Sequence, residues 1–139
     1  MATGTAFSNY LENEVLDHLL SAATFTAAAT LWYALYVISP GDANSGTEVS
    51  TSGTAYSRQS VTNNATNFPA ASGGTKSNGV LVNFGTATGA GWGTVGHIAL
   101  LDASSGGNLY FYGSLDVSIP ILSGDSLSFP IGTIVFGLD

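Results

Sequence analysis

The chain has 139 residues, and only eleven carry a formal charge: nine Asp or Glu against Arg58 and Lys76, for a net charge of −7. It has no Cys and only His18 and His97, so the residue types behind most metal ligation and acid–base catalysis are nearly absent, and disulfide staples and zinc–thiolate sites are excluded. Two isolated cations make no phosphate-binding stripe, which argues against nucleic acid, and 45% hydrophobic residues argue against disorder.

In chain order, residues 1–7 read as a flexible arm of small residues ending in Phe7, and they lack the basic region and apolar core of a secretory leader. Ser8 or Asn9 then offers an N-cap, and Glu12 and Glu14 complement the dipole of a first turn. Leu11, Val15, Leu19 and Ala22 recur at helical spacing, with Leu16 and Leu20 beside them. They predict a helix over residues 9–22 whose stripe packs on the rest of the fold. No formal charge lies between Asp17 and Asp42, yet Ser21, Thr24, Thr26 and Thr30 dilute the apolarity and no cation flanks it. A membrane span is therefore not expected.

Residues 30–38 (TLWYALYVI) are β-branched and aromatic, as in a strand covered on both faces, with Leu31, Tyr33, Leu35 and Val37 on one side and Trp32, Ala34, Tyr36 and Ile38 on the other. Further short strands are predicted at residues 54–61, 79–84, 95–102, 108–115, 125–129 and 132–138, separated by Gly, Asn and Ser-rich turns. This rhythm predicts a mainly β fold: a two-sheet β-sandwich of jelly-roll or Greek-key type, a single domain over residues 8–139 with one N-terminal helix.

Chemistry-bearing patterns are few. Asp42, Asn44 and Glu48 open like a calcium loop, but the twelfth position is Gly53 where a bidentate Glu is needed, so a turn is the better reading. Arg58 stands in an otherwise uncharged strand. Its expected use is a structural ion pair, with Glu48 the first candidate partner. His97 and Asp102 would point to opposite faces of a strand, which gives no triad, and there is no Gly-x-Ser-x-Gly elbow. Glu12, Glu14 and Asp17 share one helix and are explained by capping and solubility. No catalytic residue, metal or cofactor is expected. The remaining candidates are aromatic: Phe7, Trp92 in its Gly-rich loop, Tyr110 and Tyr112, as interface anchors or sugar-stacking platforms. Gly, Ser and Thr fill 50 positions, so the exterior is either hydroxyl-rich or covered by other copies, and a homotrimer is expected.

Residues 8–17, 31–37, 46–49, 56–59, 92–95, 97–102 and 107–111 resemble, in this order and over almost the whole chain, a family of small tailed-phage virion proteins described as tail fibre or head decoration proteins. The resemblance implies a non-enzymatic structural role on the phage particle, assembled in the host cytoplasm. The expected role is a capsid decoration or cement protein bound to the major capsid protein. The alternative is a tail fibre or baseplate component, bound to tail proteins, that meets a host receptor or glycan through Trp92.

Overall fold

The computed structural model describes residues 2–138. Among them are ten strands, β1 (Ala2–Phe7), β2 (Thr30–Ile38), β3 (Thr47–Glu48), β4 (Gln59–Thr62), β5 (Lys76–Ser77), β6 (Val82–Thr86), β7 (Gly93–Leu101), β8 (Leu109–Ile121), β9 (Ser126–Phe129) and β10 (Ile134–Phe136), and one helix, α1 (Asn9–Leu20). The large sheet runs β3-β2-β7-β8-β1-β10-β5, with β4 continuing the β3 edge of β2, and β6 and β9 form a second, two-stranded sheet. The fold is the two-sheet β-sandwich that the strand rhythm predicts, with very unequal sheets.

The large sheet curls over its own core. β2 and β10 lie four places apart in the strand order, yet the rings of Tyr33 and Phe136 come within 6.4 Å of each other. Phe68 joins both, and a second aromatic group (Tyr56, Phe84, Phe129 and Trp92) fills the space under β6 and β9. Outside the sheet a smaller cluster of Ala34, Tyr36, Ala99, Leu101 and Leu109 explains why β2 is apolar on both faces.

Residues 2–7 depart from the expected arm. They form β1, antiparallel to β8 and parallel to β10, with Met1 outside the described residues. A small side chain suits this crowded place at position 5. Thr5 is buried, donates to the Val135 carbonyl (2.8 Å) and accepts from the Gly137 N–H (3.2 Å), and a Cβ on Gly113 of β8 would come within 2.8 Å of Thr5. The partners sit more than a hundred positions away, so local composition carries no sign of them.

The helix starts on Ser8. Its hydroxyl accepts from the Leu11 N–H and donates to the Leu109 carbonyl, so the cap also ties α1 to β8. The predicted stripe is covered only in its first half. Leu11 is buried and Val15 half-buried, but Leu19 and Leu20 are 70% and 82% exposed, because α1 docks by its N-terminus and runs off the sheet. It ends at Leu20, two residues before the expected limit, where Ser21 caps back to the Asp17 carbonyl and Ala22 takes φ +56°.

Candidate interaction surfaces

Glu48 and Arg58 meet. Glu48 ends β3, beside Tyr36 of β2, and Arg58 immediately precedes β4. The guanidinium donates from Nε and Nη2 to the two carboxylate oxygens at 2.9 and 2.7 Å. Its Nη1 donates to the carbonyls of Ala103 (2.7 Å) and Gly106 (2.9 Å), closing the β7–β8 loop over the pair. Tyr56 completes the group: its hydroxyl donates to Glu48 (2.9 Å) and accepts from the Leu35 N–H (2.8 Å). The bond to Glu48 holds the Arg58 guanidinium in its charged form, while burial, and then the Glu48 charge, push the Tyr56 phenol far above its ordinary range. Four Arg58 donor bonds go to fixed partners, so the network serves as a clamp on loops and leaves little to offer a substrate.

The aromatic candidates are placed quite differently from one another. Trp92 is only 3% exposed: its indole N–H donates to the Thr54 carbonyl (2.9 Å) and its ring packs edge-on against Tyr56. It is a core residue, which removes the sugar-stacking platform. Gly91 and Gly93, both at positive φ, let the chain turn the indole inward. Tyr110 is buried as well, stacked on Tyr10 and accepting from the Ala28 N–H. Tyr112 is half-buried and donates to the Asp42 carboxylate. That bond, ahead of burial, raises its pKa to about 12. Phe7 is half-buried against Phe111, with ring centroids 5.0 Å apart.

The other sequence candidates resolve into local structure. Asp42 holds Tyr112 and Asn44 accepts from the Tyr36 hydroxyl (3.2 Å), so this segment is a tied turn. Asp102 accepts from the backbone and side-chain N–H groups of Asn108, whereas the His97 ring meets Ser114 at 3.3 Å; the two do not share a site.

One feature had no signal in the sequence. An apolar cavity of about 380 Å³ lies between α1 and the end of the large sheet, lined among others by Phe7, Val15, Phe25, Tyr110 and Leu138. Lys76 of β5 is on its wall, half-buried, and forms no ion pair among the described residues. Short, separated segments build this cavity, which is why no local pattern announces it.

These arrangements define a β-sandwich in which Arg58, Glu48, Asp42 and Asp102 and most aromatic rings are used on its own framework. Residues 6–137 match the family model described as podophage GP4 fiber I protein gp80, and the chain belongs to that family. It is thus a phage structural protein and a virion component. No curated protein matches the chain.

Proposed function

We propose that the chain is a subunit of a phage fibre that acts through protein–protein contacts and carries no catalytic activity. The observation that carries this reading is the family match, to a protein described as a fibre, over nearly the full length. It favours the fibre over the capsid decoration role that the small self-contained domain suggested. Side-chain use supports the non-enzymatic part: Arg58, Glu48, Asp42 and Asp102 are engaged in framework bonds. With Trp92 in the core, the glycan-platform form of the fibre reading has lost its anchor residue. Cross-linking mass spectrometry on intact particles, combined with antibody labelling, tests the proposal. Cross-links to tail or fibre proteins at low copy number are expected. Cross-links to the major capsid protein, with copy number on the scale of the capsid lattice, would overturn it.

A further inference from the structure

The end of β8 opposite the cavity carries a second uncovered apolar surface. Between the pairs Val95↔Ile119 and His97↔Ser114, two steps along β7 correspond to five along β8, so the strand bulges away from β7 here. Leu115 stays buried and paired with Ala2 of β1, and residues 116–118 form an exposed arch. Val117 on this arch is 71% exposed, Leu122 in the following turn is 65% exposed, and Ile119 is also exposed. Pro120 has no N–H to donate, and the arch breaks the pairing, so the ridge presents side chains and not a strand edge ready for pairing. Asp125 closes the turn by accepting from the Leu122 N–H (2.8 Å), and no cation occurs in residues 115–126.

The cavity and the ridge are complementary. One is concave, apolar and carries Lys76; the other is convex, apolar and acidic. They sit at opposite ends of the same strand: Tyr110 and Phe111 line the cavity, and along the paired β7 the step from Leu100, opposite Phe111, to Val95, opposite Ile119, is five residues at about 3.3 Å each. The rest of the sheet agrees. Leu31 at the start of β2 and Leu100 near the end of β7 border the cavity, while Ile38 at the other end of β2 is exposed. A surface and its complement on opposite poles of one chain join copies head to tail, not face to face.

We infer that a second copy of this chain seats its Val117–Leu122 ridge in the Lys76 cavity, giving a heterologous, head-to-tail contact. The inference deepens the fibre reading and rests on it, but the two fail separately. Particle cross-linking tests location, whereas the following experiment tests only how purified subunits join.

Two variants each block one pole. Lys76→Glu reverses the cavity charge, and the pair Ser123→Lys with Asp125→Asn reverses the turn charge while keeping an acceptor for the Leu122 N–H. Sedimentation velocity at about 100 µM, where a micromolar contact is populated, should show the natural chain associating more strongly at low salt than at high salt. Each variant alone should associate on the order of tenfold more weakly or not at all. Mixing the two should restore association to about the level of the natural chain, with the two variants alternating, because the natural ridge of one fits the natural cavity of the other and the two charge-reversed surfaces are complementary as well. The chain carrying all three changes should associate again. Val117→Ser, at an exposed position, should weaken association without altering the melting transition. A natural chain that stays monomeric, a symmetric dimer indifferent to these changes, or a mixture that behaves like its separate components would each overturn the inference.

Discussion

Arg58 and Lys76 are the only cations in the chain, and their surroundings are opposite. Around Arg58 the guanidinium bridges Glu48 and two carbonyls of the β7–β8 loop, with Tyr56 sealing the carboxylate to β2. Around Lys76 there is an apolar wall and no carboxylate partner among the described residues, although the chain has nine acidic side chains. The two types suit these places. Arg presents a planar fork that saturates fixed acceptors, while Lys has a flexible apolar stem with a compact charge at its tip. In a protein so short of charge, one cation is tied into the fold, and the other goes to a neighbour in the head-to-tail contact inferred above.

The largest effect should come from breaking the Arg58 region. Arg58→Met leaves the Glu48 carboxylate with only Tyr56 and strips the bonds from the Ala103 and Gly106 carbonyls. A loss of about 3 kcal/mol is expected in urea unfolding, the scale for removing one partner of a mostly buried ion pair. A loss under about 1 kcal/mol would mean that the clamp is solvated and contributes little.

Two tyrosines sharpen the same contrast at a smaller scale. The Tyr56 hydroxyl has two partners, so Tyr56→Phe should cost about 1–2 kcal/mol. The Tyr33 hydroxyl is buried with no hydrogen-bond partner among the described residues, and burial alone pushes its pKa far up. Tyr33→Phe should therefore be neutral or stabilise by up to about 1 kcal/mol, since it removes a desolvated polar group. Equal effects of the two changes in thermal melts would show that partner count is not what distinguishes these sites.

Much of this could be read in the sequence, wherever the cause was local. Strand β2 occupies residues 30–38 as predicted because it is apolar at every position after Thr30 and is followed by turn formers. The Glu48–Arg58 contact was foreseeable because scarcity left few candidates. Non-local causes stayed hidden. β1 needs partners from the far end of the chain, and β8 runs to Ile121 across an arch and a proline that break the alternation after Leu115. Trp92 looked exposed because Gly flanks it, yet those glycines are what turn it inward. The Lys76 cavity arises from elements that touch only after folding, so no window of residues contains it.

A pH effect separates Tyr112 from the two buried tyrosines. Its pKa stands at about 12 against an ordinary 10.0, chiefly because the neutral hydroxyl donates to Asp42. A raised folded-state value favours the neutral form. This contribution to stability is therefore complete below pH 10 and disappears as pH rises through about 12. Spectrophotometric titration should show the Tyr112 transition moving back toward 10 in Asp42→Asn. An unmoved transition would rule out the carboxylate as its cause.

The smallest expected effect tests the comparison most directly. Lys76 pairs with Phe136 through the backbone of β5 and β10, a bond that any side chain preserves. Its ammonium has no ion-pair partner to lose among the described residues, and Met reproduces the apolar stem along the cavity wall. Lys76→Met should therefore change unfolding free energy by less than about 0.5 kcal/mol, measured at low protein concentration where copies remain apart. Because the two cations differ in partners and not in formal charge, the comparison predicts a costly loss for Arg58→Met and almost none for Lys76→Met. Should Lys76→Met instead cost as much as Arg58→Met, Lys76 would be a framework residue, and the cavity charge would have no place in recognising a neighbour.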